Sequence, residues 1–265
     1  MDFLPFTSQK DYSAPVIPLQ VSREILTQKH YYLSSESDDL EICYVLRKEG
    51  ISATIVSYEM YDWNSGKYII SSSTFDNGNS FLISNIEDCH RRSSVVENEM
   101  NINYLGKVIA NNLLRLSFTC YDHANSKICT VDFNASLSSC PLNFKVRIHS
   151  DSQLPMVESF KYLNVKDYFR ISSKDVNDEE ILTTRPPIFN TEVNTFLTNF
   201  GGRIKQASFA NCIVTSSLDL YKVCIRHGKI NSDKFIFDFR SLSKLAAIGI
   251  FTSIHINKIF VPQYK

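Results

Sequence analysis

The chain has 265 residues, 43% of them hydrophobic and 21% charged, which is the balance of a folded protein and not of a disordered one. Lysine plus arginine equals aspartate plus glutamate, 28 against 28, so DNA or RNA binding by bulk charge is not expected, although a local patch could hold one anionic headgroup. Seven cysteines, an odd number with no CxxC spacing, argue against a zinc site or a disulfide framework and read as small apolar fillers in a reducing compartment.

Residues 1 to about 15 form an irregular lead-in, since Pro5, Pro15 and Pro18 discourage regular structure. The early Asp2 and the absence of a long apolar run there do not fit a secretory signal, so a cytoplasmic location is expected. Residues 16–265 then read as one domain. Runs rich in β-branched and aromatic residues predict strands at Val16–Val21, Glu41–Leu46, Ala53–Met60, Tyr68–Ile70 and Phe81–Ile86. Asn and Gly accept the positive φ of tight hairpins, so Trp63 to Gly66 and Phe75 to Asn79 are turn signals.

The polar segment Glu87–Met100, with Arg91 and Arg92, reads as a solvated loop. Strands resume at Tyr104–Ile109, Leu114–Tyr121, Lys127–Phe133 and Asn143–His149. Phe144, Val146 and Ile148 alternate with Asn143, Lys145 and Arg147, giving one buried face and one wet face. Residues 150–185 are the least regular part. Lys174–Glu180 is an acidic loop without the glycine turn that a calcium loop needs. The last strands are expected at Phe196–Phe200, Phe209–Ser216, Leu220–Arg226 and Lys234–Phe239.

The stretch Ser241–His255, SLSKLAAIGIFTSIH, is apolar without interruption from Leu245 to Phe251. That apolar run is less than half the length of a membrane span. Ser241 and Ser243 can accept the first helical amide hydrogens, so a helix is predicted. A helix that is apolar all round must be enclosed all round. A mostly β chain meets that need by closing its antiparallel sheet into a barrel and threading the helix through it, which also removes the sheet edges.

Motifs for chemistry are missing. Neither GxGxxG nor GxxxxGK[ST] occurs, and there is no GxSxG elbow and no HExxH. The neighbours Cys89 and His90 fall in the polar loop, where a free surface pair is the ordinary outcome. No enzyme activity, cofactor or metal is expected.

The segment Arg185–Cys212, RPPIFNTEVNTFLTNFGGRIKQASFANC, resembles the signature of the Tubby C-terminal domain family, a PPxWN-type opening followed by NFxGRxxQASxxNF. Pro186, Pro187, Phe189 and Asn190 match the opening, with Phe189 in place of tryptophan. Asn199, Phe200, Gly202, Arg203, Gln206, Ala207, Ser208 and Asn211 match the second block. His227–Phe239 is similar to the family's FGRxxxDxFxMDY. Upstream, Phe81–Ser84, Tyr104–Lys107 and Phe118–Asp122 are similar to YLIS, YIGK and FTVYD.

The resemblance implies a closed, twelve-stranded antiparallel β-barrel around a central C-terminal α-helix. It further implies a non-enzymatic adaptor that binds bisphosphorylated phosphoinositides at a basic pocket, associates peripherally with membranes and takes part in delivering membrane proteins to cilia. A monomer carrying an unidentified protein cargo is the corresponding expectation.

At the pocket the chain departs from the family pattern. The family lysine in YIGKLRSN falls on Lys107, but the arginine two residues on falls on Ile109. A second arginine, in GPRKM, falls on Leu142, and the polar residue before YLIS is Ser80. Lys107 and Ser80 are therefore the candidate headgroup contacts, and Ile109 and Leu142 mark lost cations. Charge-assisted hydrogen bonds contribute about 1.5 to 3 kcal/mol each, so two losses weaken binding at least about a hundredfold. Two outcomes follow: reduced headgroup binding through Lys107, or a protein-interaction module that has lost it.

Overall fold

Twelve short strands pair edge to edge until the last meets the first. The computed structural model describes residues 40–50, 56–74, 80–88, 103–134, 142–149, 181–186, 188–190, 195–198, 200, 202–208 and 210–256. In chain order the elements are β1 (Cys43–Glu49), β2 (Val56–Asp62), β3 (Tyr68–Ser73), β4 (Ser80–Ser84), β5 (Tyr104–Ala110), β6 (Ser117–Asp122), β7 (Lys127–Phe133) and β8 (Phe144–Ile148). They continue as β9 (Ile181–Thr184), β10 (Ile188–Asn190), β11 (Thr195–Leu197), β12 (Cys212–Ser216), β13 (Val223–Lys229), β14 (Lys234–Phe239) and the helix α1 (Lys244–Ile256).

The ring runs β1-β14-β13-β12-β9-β8-β7-β6-β5-β4-β3-β2 and every pair in it is antiparallel. Closure depends on β1 meeting β14, with Tyr44 opposite Ile236 and Leu46 opposite Lys234. β10 and β11 form a separate two-stranded sheet.

The lumen is filled by α1, as the all-round apolar sequence requires. Eleven of its thirteen residues are buried. The helix packs on β3 through β7, and on the far side of the ring Phe251 meets the rings of Tyr58, His227, Phe235 and Phe237. Its six large apolar side chains, Leu245, Ile248, Ile250, Phe251, Ile254 and Ile256, are all buried, a gross gain of roughly 9–18 kcal/mol on transfer from water. That outweighs the cost of about 1 kcal/mol for a glycine in a helix. Gly249 is required here because a Cβ would lie 2.7 Å from Cys120 Sγ on the wall of the barrel.

Ser243 caps the helix, its Oγ accepting from the Ala246 amide at 3.1 Å. Ser241 does not share that role, since it sits at φ 56 in the turn that swings the chain from β14 into the lumen. The helix hydroxyls are satisfied within the barrel, Ser253 Oγ donating to the Gly249 carbonyl at 2.8 Å. Thr252 Oγ1 donates to the Ile248 carbonyl at 2.7 Å and lies 2.6 Å from Ser72 Oγ of β3.

Several boundaries differ from expectation for identifiable reasons. β6 begins at Ser117 and not at Leu114, because a turn fixed by Asn111 and Asn112 takes up the intervening residues. The strand expected at Phe196–Phe200 is Thr195–Leu197 and pairs with β10 outside the ring. Ile181–Thr184, within a region expected to be irregular, bridges β8 and β12. The lead-in, Val16–Val21, Phe75–Asn79, Lys174–Glu180 and nearly all of Glu87–Met100, including Cys89 and His90, lie outside the described residues. The five described cysteines are free and buried, as fillers should be.

Candidate functional site

β4 and β5 carry the residues singled out by the sequence. Phe81, Ile83 and Val108 are buried against the core, so by the two-residue period of a strand Ser80, Leu82, Lys107 and Ile109 share the outer face. In the antiparallel register Ser80 is opposite Ile109 and Leu82 is opposite Lys107. Ser80 and Lys107 are thus diagonal neighbours, about 7–8 Å apart. Both are half-buried and engaged by their surroundings. On the other side of β5, Lys107 faces Tyr121 and Ile109 faces Thr119.

Leu142 belongs elsewhere. It is 3% exposed and packs in the core cluster with Phe133 and Phe144, so its position serves the interior of the barrel and adds nothing to the wall beside Lys107. Lys145 and Arg147 project outward from β8, as their alternation predicts. Arg147 Nη2 pairs with Asp132 Oδ2 on β7 at 2.5 Å.

The wall is cationic in a neutral chain. Residues 103–134 and 142–149 place Lys107, Lys127, Lys145 and Arg147 at the surface, with Arg115 buried, against Asp122 and Asp132. Of the two acids, Asp122 is buried and accepts the Ala124 and Ser126 amides of the β6–β7 turn at 2.9 and 2.8 Å, while Asp132 is held by Arg147.

The signature block around Arg203 does a different job. Residues 203–206 lie over the outside of β13 and β14, where the Lys205 and Gln206 amides both donate to the Lys229 carbonyl at 3.2 Å. Ile204 fills the space over Gly228, where a Cβ would lie 1.8 Å from Ile204 Cδ1. Arg203 Nη1 donates to Asp238 Oδ2. The same carboxylate lies 3.8 Å from Arg226 Nη1 and accepts the Cys43 amide of β1 through Oδ1 at 3.2 Å. Burial raises the Asp238 carboxyl above its usual range, against the pull of Arg203. Asn211 completes the clasp by accepting from the Lys229 amide at 2.9 Å and donating to the Gln206 carbonyl at 2.8 Å. These residues fasten a loop across the seam of the ring. Asp238 in the otherwise apolar run FIFDF is the sequence signal that marks such a clasp.

Two further polar clusters were not legible beforehand. Lys48 Nζ lies 2.6 Å from both Glu59 Oε2 and Asp88 Oδ1, and the Tyr61 hydroxyl donates to Glu59 at 2.6 Å. Burial lowers the Lys48 pKa, but bonds to Asp88 and Glu59 raise it further than burial lowers it, whereas burial and Glu59 both raise Tyr61. Both groups are pushed away from neutrality, the opposite of what acid–base catalysis needs. In the lumen, His227 and His255 stand 5.1 Å apart, ring centre to ring centre. Burial lowers His227 to about 4, partly opposed by its bond to the Ile236 carbonyl, and lowers His255 well below its usual range. Among the described residues no three His, Cys, Asp or Glu side chains gather as metal ligands.

A closed antiparallel barrel plugged by its own C-terminal helix, with one cationic outer wall, defines a small class of β proteins. Residues 131–254 match the Tub family model. The chain is 35% identical over 85 residues to Tubby protein homolog 1 of Caenorhabditis briggsae, covering 31% of this chain and 20% of that protein. It is 31% identical over 97 residues to Protein king tubby 1 of Aedes aegypti, covering 36% and 21%, and 26% identical over 172 residues to Protein king tubby of Drosophila sechellia, covering 59% and 38%. The chain thus spans between about a fifth and two fifths of the length of these relatives. The match over residues 131–254 and these likenesses support a divergent member of the Tubby C-terminal domain family.

Proposed function

We propose that this protein is a non-enzymatic adaptor that docks on an anionic membrane surface through the outer wall of β4 and β5, where Lys107 and Ser80 meet a phosphoinositide headgroup. The observation that carries this reading is the convergence of Ser80 and Lys107 as diagonal neighbours on one wall, within a cationic part of a chain whose net charge is zero. With Ile109 on the wall and Leu142 in the core, the site holds one of the three cations of the family pattern, so binding is weak and suits reversible, peripheral association. A role in trafficking membrane proteins, including to cilia, follows as the adaptor's task, with the cargo carried on another surface.

Co-sedimentation with phosphatidylcholine vesicles containing a bisphosphorylated phosphoinositide tests it. Losing one charge-assisted contact costs about 1.5–3 kcal/mol, so Lys107→Ala should weaken binding roughly ten- to hundredfold. Equal and poor pelleting of the wild type and Lys107→Ala would sink the proposal. A second reading, a protein-interaction module without lipid binding, is favoured by the burial of Leu142. Strong headgroup binding by the intact protein rules it out.

A further inference from the structure

The turn joining β5 to β6 continues the strand that bears Lys107. It presents Asn111, Asn112, Leu113 and Leu114, while Arg115 and Leu116 turn back toward the barrel. Leu113 is 100% exposed and Leu114 68% exposed. Scattered exposed leucines are ordinary on protein surfaces, but these two are adjacent and the turn holds them outward. The Asn111 amide donates to the Ser117 carbonyl at 2.8 Å and the Arg115 amide to the Asn112 carbonyl at 3.0 Å. The Leu116 amide donates to Asn112 Oδ1 at 2.9 Å. Asn111 Nδ2 donates to Ser117 Oγ at 2.8 Å, and its Oδ1 accepts from Thr119 at 3.0 Å. Arg115, at φ 53, is itself buried. The result is a braced tip with an apolar point.

We propose that the β5–β6 turn is a bilayer-inserting tip, with Leu113 and Leu114 entering the acyl region of an anionic membrane while Lys107 lies in its headgroup layer. The inference rests on the membrane-docking reading above and adds to it the orientation of the barrel and an apolar contact.

Three considerations favour a bilayer as the occupant. Leu113 is fully exposed and so offers a protein partner no flat patch, whereas lipid chains close around a knob of any shape. The same wall is cationic, which matches an anionic leaflet. The dimensions also agree. Ala110 lies three residues beyond Lys107, about 10 Å along the strand. A strand tilt of 35–45° reduces this to a height of roughly 7–8 Å, close to the roughly 5–8 Å of one headgroup layer. With Lys107 at the phosphates, Leu113 reaches hydrocarbon.

A second apolar turn, with Leu218 86% and Leu220 54% exposed, joins β12 to β13. It lies at the opposite end of the barrel, since β12 runs antiparallel to β9, β9 to β8, and so on around the ring to β5. Both ends cannot enter one membrane, and of the two turns the β5–β6 turn is the one on the strand that bears Lys107.

The test uses the full chain and vesicles of phosphatidylcholine, phosphatidylserine and a bisphosphorylated phosphoinositide. The pair Leu113→Ser, Leu114→Ser should bind about tenfold or more weakly, whereas Leu218→Ser should bind as the wild type does. A single tryptophan introduced as Leu113→Trp should be quenched by brominated acyl chains. The native Trp63, in the β2–β3 turn at the other end, should not be quenched. Circular dichroism of each variant checks the fold. If the serine pair binds like the wild type and the tip tryptophan is not quenched while Lys107→Ala loses binding, insertion is refuted and the headgroup reading stands. If the tip variants lose binding and Lys107→Ala does not, the headgroup reading fails and insertion stands. A dimer in sedimentation velocity that the serine pair dissolves would show that a second copy of the chain covers the tip, and would refute the proposal.

Discussion

Asp238 offers a sharp test of how the barrel is fastened. Asp238→Asn keeps the side-chain shape and an acceptor for the Cys43 amide but removes the charge shared by Arg203 and Arg226. Breaking a buried ion pair by removing one partner costs about 3–5 kcal/mol, because the remaining charge stays buried. Here the Arg203 and Arg226 side chains keep 20% and 17% of their exposure, so water takes up part of their charge. The expected loss is therefore at the low end, about 3 kcal/mol, or a drop in Tm of roughly 6–12 °C for a chain of this size. Urea denaturation followed by circular dichroism should show the midpoint falling with the slope unchanged. Because burial already disfavours the carboxylate, Asp238→Asn combined with Arg203→Met should cost clearly less than the sum of the two single losses. A single loss below about 1 kcal/mol, or strict additivity, would refute the account of Arg203 and Asp238 as a coupled clasp.

Two further outcomes are expected. Thr252→Val leaves Ser72 Oγ without its 2.6 Å partner inside the barrel and should cost about 1–3 kcal/mol, while adding Ser72→Ala should recover part of that loss by removing the orphaned hydroxyl, as equilibrium unfolding would show. His227 takes up a proton near pH 6.5 when unfolded but only near 4 when folded. The unfolded chain therefore binds more protons between those values, and stability is full above pH 6.5 and falls as the pH drops toward 4, by roughly 3 kcal/mol. His255 adds to this in the same direction, while the raised Asp238 and Glu41 act in the opposite sense. Unfolding free energies measured from pH 7.5 to 4 should flatten in His227→Phe by that amount, and an unchanged slope would sink the assignment.

The ring and its plug were legible in the sequence because both are written in burial. Lys127–Phe133 and Lys234–Phe239 have the bounds their patterns predict, and the apolar run from Leu245 to Phe251 required enclosure before any strand pairing was known. What was hidden lies in contacts distant along the chain. β9 is four residues long and has too little pattern to identify alone; it becomes a strand because β8 and β12 flank it. Leu114, which the turn exposes, read as the start of β6, since leucine favours burial and only the side-chain bonds of Asn111 and Asn112 overrule it. At the site, alternation along β8 set Leu142 on the face opposite Lys145 and Arg147, and the structure buries it there, but which residues stand beside Lys107 depended on the register of β4 against β5.

The pairing of β1 with β14 has a consequence for biosynthesis. The first and final staves of the ring are separated by most of the polypeptide, and the rod that fills it is translated after both. On the ribosome the early strands wait with bare edges and a hollow where the rod will go. Contacts between such distant segments make assembly slow, and a chain terminated just short of residue 244 would lose the central rod on which β3 to β7 and the rings of β2, β13 and β14 lean.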